Sequence, residues 1–179
     1  MKTNNRNIRT GDLIFFPPTG IVGKIISIVT WSKYCHVALA VVDDKGEIWL
    51  REYREFGCRE VLLDVAEYEW GFKKDQHIDI YRCYGMGKYA AEFAAEKMLS
   101  FPKDYGYFHF LWIAFYMLFW RKITKHFVKK ECDKHTPTCS EAVCRSFRET
   151  VGIDLIPGIP DRLTSPGDLI RAKKLYQVN

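Results

Sequence analysis

His36-Val37-Ala38-Leu39-Ala40-Val41-Val42, then Asp43-Asp44-Lys45-Gly46, then Glu47-Ile48-Trp49-Leu50-Arg51-Glu52-Tyr53 is the stretch that decides the fold. An unbroken run of small and β-branched residues predicts a buried strand, and the Asp-Lys-Gly tip predicts a hairpin into a partner strand. Upstream, Gly11-Asp12-Leu13-Ile14-Phe15-Phe16 reads as a short strand stopped by Pro17-Pro18. Between the two, Ile21, Ile25, Ile28 and Val29 fall at helical spacing within 21–31. Downstream, residues 58–63 and 78–83 are further strand candidates.

The period then changes. Residues 88–99 are Ala-rich and amphipathic and predict a helix, as do residues 138–150. Ser165-Pro166-Gly167-Asp168-Leu169 opens a short final helix. No repeat, low-complexity stretch or long linker interrupts the 179 residues, a length that suits a single domain over 1–179 with its own core. The expected architecture is α+β, a small antiparallel sheet packed against helices.

The net charge is +5, and the basic residues are scattered except at residues 121–130. A nucleic-acid binder concentrates such charge in a stripe or motif, so a solvated basic surface is expected and a nucleic-acid partner is not. Residues 1–10 are polar and basic, with no apolar run following as a secretory signal would require. Folding in a reducing cytosol is therefore expected, unless the protein leaves by lysis or with a partner. In that setting Cys35, Cys58, Cys83, Cys132, Cys139 and Cys144 read as thiols, ligands or nucleophiles rather than a disulfide framework.

Thr138-Cys139-Ser140-Glu141 matches a capping box behind Pro137. Cys139 then falls in the first turn of a helix, where unpaired N–H groups and the positive dipole end favour a thiolate. The Cys139 backbone N–H could hold the oxyanion of a tetrahedral intermediate. A thiol nucleophile needs an imidazole within reach and a third group to orient it. His36 begins a strand, at a rim where a side chain can face a cleft. Glu52 lies near the end of the partner strand and could fix the tautomer. Tyr53 points to the opposite face, so register decides between the two. His109 and His135 are the competing bases, and Tyr34, beside His36, is the candidate for a second oxyanion donor.

These motifs are familiar together. Gly11-Asp12-Leu13-Ile14-Phe15, Cys35-His36-Val37-Ala38-Leu39-Ala40, the hairpin ending in Glu52, Thr138-Cys139-Ser140-Glu141-Ala142-Val143 and the closing Ser165-Pro166-Gly167-Asp168-Leu169 resemble the circularly permuted NlpC-type papain-like cysteine hydrolases, in particular the YiiX/YebB-like subgroup. The resemblance spans nearly the whole chain. It implies a papain-like core with His36, Glu52 and Cys139 in the family's order of base, polar third residue and nucleophile. It also implies hydrolysis of a peptide, amide or ester bond through an acyl-thioester on Cys139, with no cofactor and no metal. The lecithin-retinol acyltransferase branch shows Asn-Cys-Glu-His around its nucleophile, and Thr-Cys-Ser-Glu here supports acyl transfer less.

Two features admit other readings. Residues 105–120 carry no charge and are dense in aromatics, and Arg121, Lys122, Lys125, Lys129 and Lys130 follow. The uncharged stretch 105–120, the apolar part of an aromatic helical segment at about 105–130, is too short to span a bilayer, which takes ~20 residues. As a helix it would be a core element, a wall or lid for an acyl-bearing substrate with Trp112, Phe115 and Tyr116 as wall candidates, or a peripheral membrane contact. Cys132-x2-His135 fits half of a zinc knuckle, but Cys139 and Cys144 turn away from each other on a helix. A zinc-stabilised module, or a degenerate non-catalytic one binding a peptide or lipid, is the alternative to the enzyme.

Overall fold

The computed structural model describes residues 7–54, 57–71, 78–102 and 137–178. The aromatic segment, with Trp112, Phe115 and Tyr116, lies outside them, as do Cys132, His135 and His109. The described chain is α+β: six antiparallel strands in one sheet, ordered β4-β3-β2-β1-β5-β6, with five helices. The strands are β1 Leu13–Phe16, β2 His36–Val42, β3 Ile48–Arg54, β4 Gly57–Leu62, β5 Asp79–Cys83 and β6 Leu175–Val178. The helices are α1 Gly20–Val29, α2 Leu63–Glu69, α3 Lys88–Leu99, α4 Cys139–Val151 and α5 Pro166–Leu169.

The central strands are continuous apolar runs because both faces of the sheet are covered. On one face, Leu13, Phe15, Val37 and Leu39 pack against Ala94, Ala95 and Met98 of α3 and Ala142, Val143 and Phe147 of α4. On the other, Ile14, Phe16, Ala38, Ala40 and Leu50 pack against Leu63 and Ala66 of α2. Sequence reading missed α2 and β6. The first is seven residues with no side-chain cap, and the second is a four-residue edge strand whose pairing with β5 is purely long-range.

Two glycines explain why their motifs carry no side chain. A Cβ on Gly11, whose φ is 93°, would lie 2.5 Å from the Ala91 Cβ. Asp12 beside it is buried and tied by Arg82 of β5, with nitrogen–oxygen distances of 2.7 and 2.8 Å. Gly167, inside the capping box formed by Ser165 and Asp168, is pressed onto the loop before β2. A Cβ there would lie 2.9 Å from both the Ser32 Cβ and the Thr30 carbonyl oxygen. The last helix thus backs the loop that carries Cys35 and His36.

Gly167→Ala is expected to lower stability by about 1–3 kcal/mol, because a backbone carbonyl cannot yield as a flexible side chain does. Gly87→Ala, at the N-cap of α3 where an added Cβ meets nothing within 4 Å, should cost less, within about 1 kcal/mol. Urea midpoints for the two variants at unchanged m-value check this.

Candidate active site

Cys139 stands at the N-terminus of α4, where the sequence motif predicts it. The Thr138 hydroxyl accepts from the Glu141 N–H at 3.3 Å, and the Glu141 carboxylate accepts from the Thr138 N–H at 3.4 Å. Gly152, in the left-handed region at φ 68°, closes the other end of the helix. The backbone N–H of Cys139 lies in the helix's first turn, outside the intrahelical ladder.

His36 and Glu52 belong to one face of the sheet. Phe16 pairs with His36 and Ala38 with Glu52, so Glu52 sits on a diagonal from the imidazole, within reach of a long side chain. The register thereby selects Glu52 over Tyr53, which joins the core on the opposite face. The His36 Nε2 and the Glu52 carboxylate are 2.8 Å apart, and Glu52 has no exposed surface. Its other oxygen accepts from Arg59 Nε at 2.8 Å and from a terminal guanidinium nitrogen at 2.5 Å. With Nε2 taken by Glu52, Nδ1 is the ring nitrogen left to face Cys139, whose sulfur lies close enough for each group to shift the pKa of the other. The helix carrying Cys139 lies on the face of Val37 and Leu39, so the nucleophile candidate and the base candidate meet where β2 begins.

The electrostatics follow from these contacts. Burial alone would lower the His36 pKa, but the Cys139 sulfur and the Glu52 carboxylate outweigh it and raise it to about 9. Burial would raise that of Cys139, but the imidazole charge and hydrogen bond bring it below the ordinary thiol value. Burial would likewise raise that of Glu52, but His36 and Arg59 pull it down to about 2. Both dyad shifts favour a thiolate–imidazolium pair.

Aromatic packing completes the site. The Trp70 ring centroid lies 5.0 Å from that of His36, and Phe16 is stacked against Trp70 at 5.4 Å. Arg54 lies over the outer side of Trp70, 4.8 Å from its centroid. Sequence reading singled out none of Phe16, Arg59 and Trp70. The signal for Arg59 was its place opposite Glu52 on the next strand, and Trp70 depends on the missed helix α2. Tyr34 is placed differently from its expected role. Its hydroxyl donates to the Asp79 carboxylate, and its ring packs on Phe15. That donor is committed to β5.

No family model matches the sequence, and no curated protein matches it. Among solved structures, the crystal structure of the metalloprotein YiiX from Escherichia coli O157:H7 is similar, with a TM-score of 0.62 and 16% sequence identity. The similarity covers 96% of each chain. The chain therefore has a YiiX-like α+β fold.

The pH dependence of stability carries the signature of this pair. Glu52, lowered to about 2 from an ordinary 4.5, contributes stability that is full above 4.5 and lost as pH falls through 2. His36, raised to about 9 from 6.5, contributes stability that is full below 6.5 and lost as pH rises through 9. Glu52→Gln is therefore expected to cost on the order of 3 kcal/mol between these limits. The gap to the parent should narrow at both extremes, as read from urea unfolding across pH.

Proposed function

We propose that the chain is a one-domain, papain-like cysteine hydrolase of the permuted NlpC type, cleaving a peptide, amide or ester bond. The observation that carries this reading is the series Cys139–His36–Glu52, with the imidazole beside the thiol and bonded to a fully buried carboxylate at 2.8 Å. The YiiX-like fold and the order of base, carboxylate and nucleophile along the chain support it. So does the capped helix start beneath the thiol, although fold alone does not choose a substrate.

In this mechanism the Cys139 thiolate attacks the carbonyl carbon. The developing oxyanion is met by the Cys139 backbone N–H. The His36 imidazolium gives its proton to the leaving group, and an acyl-thioester remains on Cys139. His36, now neutral, takes a proton from water, whose oxygen attacks the thioester, and the acid leaves as the thiol is restored. Glu52 orients the imidazole throughout, and Trp70 with Phe16 covers the Glu52–His36 bond. Arg59 keeps Glu52 ionised.

YiiX is described as a metalloprotein. Here the donor set beside Cys139 does not fit a metal, because the two oxygens of Glu52 are held by His36 and by Arg59. Among the described residues no three His, Cys, Asp or Glu side chains converge to hold an ion. No step is routed through one.

Iodoacetamide titration from pH 4 to 9, with the modified thiol mapped by peptide mass, tests the assignment. Cys139 is expected to be labelled selectively well below pH 8, with labelling lost toward acid as the thiolate takes up its proton. His36→Ala removes the charge that lowers the thiol pKa. It should slow labelling at pH 6 by at least about tenfold, since a thiol without the neighbouring imidazolium holds far less thiolate there. Slow, indiscriminate labelling of all the cysteines would refute the activated pair. Cys139→Ser should abolish hydrolysis of any ester or amide the parent turns over.

A further inference from the structure

The spacing of apolar residues in 21–31 correctly predicts α1, and a helix with an apolar stripe ordinarily turns that stripe inward. Here the stripe faces out. Ile21 is 79% exposed, Val22 58%, Ile25 50% and Ile28 73%, and Trp31, just past the helix, is 86% exposed. The inward side instead carries Gly23, where an added Cβ would lie 3.3 Å from the Cys35 sulfur and 3.4 Å from Pro18. Five large apolar side chains exposed together within 21–31 differ from the singly scattered apolar residues of an ordinary surface, which need no explanation.

We propose that this face of α1 seats the protein on an anionic lipid surface, with the helix lying in the plane of the headgroups. Charge complementarity selects this occupant. No Asp or Glu occurs between Asp12 and Asp43, whereas Lys24 is exposed within the ridge. Lys33 flanks Trp31, and its side chain is 66% exposed even while paired with Asp79 at 2.9 Å. Basic residues around an apolar ridge suit acidic headgroups, and an indole suits the boundary between headgroup and acyl chain. A two-fold contact between copies through the ridge would instead bring the same lysines together. At ten residues the helix is about 15 Å long, and among the described residues no helix is long and apolar enough to cross a membrane. It lies on the surface rather than through it.

The contact between Gly23 and Cys35 ties this ridge to the residue before His36, so the bound protein holds the start of β2 near the lipid. That the surface delivers an acyl-bearing lipid ester or amide to Cys139 rests on the hydrolase reading. Membrane seating itself does not, and soluble iodoacetamide reports on the dyad separately.

Co-sedimentation with vesicles of phosphatidylcholine alone, or with one-third phosphatidylglycerol, tests the seating. Binding is expected to the anionic vesicles, to weaken with salt, and to fall at least tenfold in Ile25→Glu/Ile28→Glu, with iodoacetamide labelling of Cys139 unchanged. A second measurement needs no destabilising change. Dibrominated anionic lipid should quench a tryptophan signal in the parent that is missing from Trp31→Phe. The proposal is overturned if anionic vesicles do not bind, or if the double variant binds as well as the parent. It is equally overturned if Trp31→Phe loses none of the quenched signal. A dimer in solution that the double variant dissociates would assign the ridge to a second copy. A double variant that fails to fold would mean that the ridge is covered within the chain.

Discussion

A carboxylate with no exposed surface stays ionised only if its counter-charges are already in place. Glu52 meets that condition through His36 on one oxygen and Arg59 on the other. Everything else in the site depends on this constraint. It fixes which ring nitrogen of His36 is occupied, and therefore which nitrogen remains for sulfur. It also holds a positive charge beside Cys139 despite a desolvation cost that acts against ionising either partner. Trp70 and Phe16 keep water off the His36 ring, which strengthens the same bond by lowering the local dielectric.

The sheet makes the arrangement reachable. Its two faces carry separate packing layers, α3 and α4 on one and α2 on the other. His36 points to the α2 face and Cys139 arrives from the α4 face, so they meet only because His36 is the first residue of its strand. Two positions further into β2, at the next residue on the same face, the sheet itself would separate imidazole from thiol. The same rim receives α5, through Gly167, and α1, through Gly23. Two glycines thus permit four elements to converge on a loop of a few residues.

What the sequence discloses divides along locality. The run from His36 to Val42 and the Asp-Lys-Gly tip specify the hairpin, and Thr138 and Glu141 specify the helix start, because each signal lies within a few residues of the feature it creates. The place of Glu52 beside His36 was legible because a hairpin converts sequence position into spatial position. Arg59 and Trp70 were not, since their contacts depend on the β3–β4 register and on a seven-residue helix without a cap. Tyr34 shows the opposite failure. Sitting next to the base in sequence suggests a role beside it, yet in a strand-flanking segment a neighbour is turned to another face, where Asp79 claims its hydroxyl. The ridge of α1 was legible as a helix but not as a surface, since periodicity fixes that one side is apolar and leaves open which way that side turns.

The seating of Gly167 on Thr30 and Ser32 has a consequence for biosynthesis. His36 and Glu52 emerge from the ribosome early, Cys139 much later, and Gly167, which braces their shared loop, later still. Domains gain long-range contacts only once the distant partner has been made. Until then the Cys139 thiol lacks the imidazole that lowers its pKa and keeps an ordinary thiol acidity. The order of the elements along the chain thus leaves Cys139 an ordinary thiol until α4 has docked against the sheet beside His36.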